Sequence, residues 1–209
     1  MAIKESSDEL NPTVTTTDEA VAAPRAARSA KDYLALAIAT CGVGYLPLAP
    51  GTWGSLVGVG LYLLLETISL RFLFAHAARN SLTMMSVETP RLALLLVVVF
   101  VVTMVGIWAA TRAERLLRRK DPGVVVIDEV AGQLIALLSA PTLVYGWWGI
   151  ISAFLLFRVF DIWKPYPARR LEQLESGLGI MSDDVVAGAY AAVVNSIILG
   201  AYFLFRFGT

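Results

Sequence analysis

Four long apolar stretches constrain this chain more than any other feature. They run from about Trp53 to Phe74, Leu92 to Ala110, Ile150 to Phe160 with its upstream extension, and Val185 to Phe207. A hydrocarbon core of about 30 Å needs about 20 helical residues to cross it, and these stretches supply them. A fifth stretch, Val130 to Val144, is broken by Pro141. It is expected to start a helix at Asp128-Glu129 and to meet the Ile150 helix through Tyr145-Gly146-Trp147-Trp148, where indoles favour the interface. With 57% hydrophobic and 16% charged residues, a soluble core could not bury so much apolar surface. The expected fold is all-α, a polytopic membrane bundle of four to five spanning helices.

Residues 1–31 mix Thr, Ser, Ala, Pro and charges without periodicity, and lack the basic-then-apolar order of a secretory signal. They read as a disordered cytoplasmic tail, with residues 32–209 forming the membrane-embedded domain. Between Tyr33 and Ala49, Gly42, Gly44 and Pro47 interrupt the apolar run. A short re-entrant or interfacial helix fits there. Thirteen of the 17 Lys and Arg residues fall before the first span, just after the second, or at and just after the Ile150 to Phe160 span. Basic segments stay on the cytoplasmic side, so the tail and every polar motif should face the cytoplasm.

Formal net charge is zero, which leaves no polycationic surface for nucleic acid. One cysteine, Cys41, and one histidine, His76, cannot assemble the usual zinc-ligand sets. A metal here must be held by oxygen.

Four polar segments abut the apolar helices: Pro47 to Ser55, Asp128 to Gln133, Phe157 to Pro165 and Ser182 to Gly188. Carboxylates at the edge of a membrane helix are costly unless paired or bound. The second and fourth segments share the form Asp128-x-x-Ala131-Gly132 and Asp184-x-x-Ala187-Gly188, which sets each carboxylate and glycine on one helix face. Packing by these faces would bring Asp128 and Asp184 together, with Glu129 and Asp183 beside them. Clustered carboxylates repel unless a cation sits among them, and an all-oxygen set suits Mg²⁺. The plainer alternative is that both pairs cap helix N-termini.

In the third segment Asp161 would join that metal cluster, while Lys164 and Arg158 would hold a phosphate as charge-assisted donors. Snorkelling and an internal ion pair explain Arg158 equally well. Pro165 and Pro167 should stop the helix. In the first segment Pro50, Gly51, Thr52 and Ser55 open a spanning helix, whose N–H groups and hydroxyls could bind an anion or merely cap the helix. His76 lies on the expected far side, no Asp-x-Asp nucleophile motif occurs, and the CDP-alcohol transferase signature is missing. The chemistry left is metal-assisted attack of water on a phosphomonoester.

Taken in order, Gly42-x-Gly44-Tyr45-x-Pro47-x-Ala49-Pro50-Gly51-Thr52-x-Gly54-Ser55, Asp128-Glu129-x-x-Gly132, Phe157-Arg158-x-Phe160-Asp161-x-x-Lys164-Pro165-x-Pro167 and Gly179-Ile180-Met181-x-Asp183-Asp184-x-x-Ala187-Gly188 resemble the motif series of the phosphatidylglycerophosphatase A family. The resemblance covers about Tyr33 to Phe207. It implies a Mg²⁺-dependent lipid phosphatase of the bacterial inner membrane, converting phosphatidylglycerophosphate to phosphatidylglycerol, the precursor of cardiolipin. It places Asp128, Glu129, Asp161, Asp183, Asp184, Lys164 and the Pro50 to Ser55 loop at the site. The partners implied are the phosphorylated glycerophospholipid and membrane lipids, with oligomeric state open. The competing reading, an acid-lined transporter or ion pathway, would place its carboxylates near mid-bilayer and repeat whole helix sets.

Overall fold

In the computed structural model, which describes residues 28–80, 83 and 85–207, the chain is a bundle of seven helices: α1 (Ala30–Thr40), α2 (Pro50–Asn80), α3 (Met85–Leu117), α4 (Ile127–Leu137), α5 (Thr142–Trp163), α6 (Ala168–Leu171) and α7 (Ser176–Phe207). Four segments are long and apolar enough to cross a membrane: Pro50–Ala77, Ser86–Leu117, Val144–Trp163 and Ser176–Arg206. The disordered tail expected at residues 1–31 lies almost wholly outside the described residues. Its last two residues belong to α1, because Ser29 and Asp32 form a reciprocal capping box that starts the helix at Ala30.

With 11 residues, α1 extends about 16 Å, too short to cross a bilayer. It ends where Cys41 adopts a left-handed conformation, and it is tied to α3 by the Asp32–Arg112 ion pair at 2.6 Å.

The fifth apolar stretch resolves into α4, also too short to span. Its residues Ile127, Val130 to Leu134, Ala136 and Leu137 are buried, because α2, α3, α5 and α7 all pack around it. Beyond α4 the chain turns at Ala140, whose carbonyl accepts a 2.6 Å hydrogen bond from the Tyr62 hydroxyl. α5 then packs back against α4, so the two helices form a hairpin. The aromatic turn expected at Tyr145 to Trp148 lies inside α5 as a kink: Gly146 has φ 56°, ψ −146°, a conformation closed to L side chains.

Several expected boundaries move, and α3 extends beyond both Leu92 and Ala110. α2 continues past Phe74 to Asn80, so His76 sits on a helix, at the end remote from Pro50. α7 begins at Ser176, about two turns before Asp183. α2 leaves the Pro50 end and α3 returns to it. α4 starts there, α5 finishes there and α7 starts there, so five helix ends converge on one face of the bundle.

Candidate active site

The convergence of these ends leaves a cavity of about 150 Å³ whose lining includes Asp128, Glu129, Asp161, Lys164, Asp183 and Asp184. Asp128 and Glu129 stand in the first turn of α4, where the helix N-terminus favours anions. The α3–α4 loop holds that turn in place through a 2.8 Å hydrogen bond from the Val126 N–H to the Ala39 carbonyl of α1.

Asp183 and Asp184 reach the cavity differently from expectation. They lie in the body of α7, so helix capping does not account for them. Their position comes from the glycine seam between α4 and α7. A Cβ on Gly132 would lie 2.6 Å from the Asp184 carbonyl, and one on Gly188 would strike the Gly132 carbonyl. Only glycines allow so close an approach. The two Asp-x-x-Ala-Gly faces therefore meet.

One carboxylate oxygen from each of Asp128, Glu129 and Asp184 lies within 4.8 Å of the others. Asp128 Oδ1, Glu129 Oε2, Asp183 Oδ1 and Asp184 Oδ2 are buried without a hydrogen-bond partner. Burial holds the Asp128 carboxyl well above the usual range, with the Glu129 charge adding to the effect. Burial also raises Glu129. Uncompensated carboxylates this close are unstable as bare anions. Hard oxygen donors, orphaned and convergent, fit a divalent cation.

The flanking acids have cations of their own. Asp161 pairs with Arg158 at 2.7 Å, and Asp183 pairs with Lys164 at 2.7 Å. Lys164 caps α5 in a left-handed conformation, where the chain turns into Pro165, and it also reaches Glu172 at 3.2 Å. Burial works against its charge, but Asp183 and Glu172 outweigh that and hold its pKa above the ordinary lysine value.

The Pro50 to Ser55 turn stands behind the cavity. Gly51 packs directly against the Glu129 carboxylate and the Arg158 guanidinium. The Ser55 hydroxyl donates to the Gly51 carbonyl at 2.9 Å and accepts from Arg158 at 3.5 Å. Pro50, Thr52 and Ser55 are not among the lining residues. The turn thus braces Glu129 and Arg158, and Arg158 in turn braces Asp161. Glu114, Lys120, Asp121 and Glu172 also line the cavity, and sequence reasoning did not select them.

The pattern of the family described as Phosphatidylglycerophosphatase A matches residues 36–199. A Bacteroides thetaiotaomicron protein named putative phosphatidylinositol-3-phosphatase is 39% identical over 160 residues, 75% of this chain and 87% of that protein. Proteins named phosphatidylglycerophosphatase A from Haemophilus influenzae and Escherichia coli are 36% and 29% identical, covering 73% and 72% of this chain and 80% and 74% of their own lengths. No solved structure matches the chain significantly. The motif order, the convergent carboxylates and this match over most of the sequence agree: the chain belongs to the phosphatidylglycerophosphatase A family.

Proposed function

We propose that this chain is a Mg²⁺-dependent lipid phosphatase that hydrolyses phosphatidylglycerophosphate to phosphatidylglycerol and phosphate, on the cytoplasmic side of a bacterial inner membrane. The observation that carries the reading is the meeting of Asp128, Glu129 and Asp184 within 4.8 Å in a chain of this family. Those three would hold the ion, with Asp161 and Asp183 flanking it. Bound there, Mg²⁺ would neutralise charge on phosphate oxygens and would make a nearby water more acidic. A cavity carboxylate accepts the proton that the attacking water gives up as it bonds to phosphorus, and that proton returns to the glycerol oxygen released when its bond to phosphorus breaks. Lys164, already at the cavity wall, presents positive charge to the phosphate as it leaves. Arg158, Gly51 and Ser55 keep Asp161 and Glu129 in register. Acyl chains remain in the bilayer, and the head group enters from the side where basic segments concentrate. A transporter is disfavoured because the acidic cluster sits where helix ends converge, not along a path through the bundle.

The test is phosphate release by purified protein from phosphatidylglycerophosphate, with chelator and with Mg²⁺ restored. Asp128→Asn and Asp184→Asn should each lower turnover by on the order of a hundredfold or more while the protein still inserts and folds. Near-normal turnover in either variant removes that carboxylate from the site. The name of the Bacteroides relative makes phosphatidylinositol 3-phosphate the second substrate to assay.

A further inference from the structure

Next to the acidic cavity lies a second, chemically opposite one. It has a volume of about 450 Å³, and its lining includes Trp163, Lys164, Tyr166, Arg169, Arg170 and Gln173. Lys164 belongs to both, so its side chain forms part of the wall between them. No carboxylate lines the second cavity. Among the described residues neither Arg169 nor Arg170 enters an ion pair. Two exposed guanidiniums left unpaired beside an acid-rich site are available to an anion.

The walls of this groove are built. Trp163 stacks on Phe160 with ring centroids 6.4 Å apart, and Phe160 packs on Tyr190 at 5.7 Å. The Tyr190 hydroxyl donates to the Tyr166 carbonyl at 2.9 Å, fixing the backbone of the α5–α6 turn. The Arg170 guanidinium lies over the Tyr166 ring, 5.1 Å from its centroid, which orients it without neutralising it. Trp163 and Tyr166 are 65% and 69% exposed at the end of a spanning helix, where such rings mark the head-group level of a bilayer.

We infer that this groove binds the phosphodiester of the lipid head group, through Arg169 and Arg170, while the terminal phosphomonoester passes Lys164 into the acidic cavity. The inference rests on the proposed lipid phosphatase activity and adds how the substrate is recognised. A lipid carrying both a diester and a separate monoester meets a basic groove and a cation-demanding cavity in the order its phosphates require. Planar guanidiniums suit the diester, whose two free oxygens accept paired hydrogen bonds. A purely solvated basic surface would not stand beside a Trp163 ring stacked on Phe160 or share a residue with the acidic cavity.

The experiment uses full-length protein in detergent micelles and the double variant Arg169→Gln, Arg170→Gln. Short-chain phosphatidylglycerol, which has the diester and lacks the monoester, is the binding probe and product inhibitor. Inorganic phosphate is the probe of the acidic cavity. The expected result is a rise of about tenfold in the Kd for phosphatidylglycerol and in the KM for phosphatidylglycerophosphate. Turnover and inhibition by inorganic phosphate should stay within about twofold, and Arg169→Lys with Arg170→Lys should recover most of the binding. An unchanged Kd for phosphatidylglycerol overturns the inference, as does an equal loss of inorganic phosphate inhibition. Wild-type protein that binds phosphatidylglycerol through these arginines but releases no phosphate would instead defeat the proposed activity and leave the groove standing.

Discussion

At the scale of single residues, the carboxylates divide by whether a cation already serves them. Asp161 has Arg158, Asp183 has Lys164, and Asp32 has Arg112. Among the described residues Asp128, Glu129 and Asp184 enter no ion pair, and one carboxylate oxygen of each lies within 4.8 Å of the others. Asp32 shows what ordinary pairing does. The hydrogen bond from Arg112, helped by the Ser29 backbone and hydroxyl, lowers its pKa from 3.8 to about 2. A carboxyl depressed by folding stabilises fully above its unfolded value and loses that contribution as pH falls through the folded one. Asp32→Asn should therefore lower the thermal midpoint equally at pH 7 and pH 5, and the difference from wild type should shrink between about pH 4 and pH 2. A gap that persists at pH 2 would mean that α1 is held by other contacts.

At the scale of elements, the site depends on the seam between α4 and α7. Gly132 and Gly188 let the two backbones touch, and that approach sets Asp184 against Asp128. Gly188→Ala forces its methyl into the Gly132 carbonyl, a backbone atom that cannot swing aside. The helices must separate, at a cost of about 1–3 kcal/mol. Calorimetric titration should show Mg²⁺ binding weakened together with a lower unfolding midpoint. Retained metal affinity in a destabilised protein would separate the seam from the site. The repeated Asp-x-x-Ala-Gly pattern made this contact legible in advance, because i, i+4 spacing is a local property of any helix. The start of α7 was not legible. Ser182-Asp183-Asp184 reads as a cap, yet the helix begins at Ser176 because the segment from Ser176 packs on α3, with the Gly177 N–H bonded to the Thr111 hydroxyl at 3.1 Å.

For the whole molecule, a buried polar network far from the site ties the spans together. Glu66 of α2 pairs with Arg91 of α3, Arg91 also pairs with Glu88 at 2.9 Å, and the Thr142 hydroxyl of α5 donates to Glu66 at 2.8 Å. Glu66 and Arg91 are only 5% and 6% exposed, so removing Arg91 leaves the Glu66 carboxylate buried without a cation, whereas Arg91 without Glu66 keeps Glu88. Arg91→Gln should destabilise the protein by about 3–5 kcal/mol and Glu66→Gln by less, because Arg91 then keeps Glu88, with the double variant recovering part of the Arg91→Gln loss. Denaturant unfolding in micelles reads this, and additive single effects would show that the pair is not coupled.

Glu66 lay inside an apolar run, a signal that a partner existed, but nothing local named Arg91. The same limit holds throughout. By itself the sequence determined the membrane class, four of the spans and the gathering of the polar motifs at one face. Those follow from apolar length against a fixed bilayer thickness, a property each segment carries alone. Only the tertiary structure decided that α4 is a buried half-length helix, that Pro50 to Ser55 stand behind the carboxylates, and which acids share a space instead of an arginine. Distances between side chains on different helices are set by how backbones pack. Those contacts join residues far apart in the chain, so no segment encodes them alone.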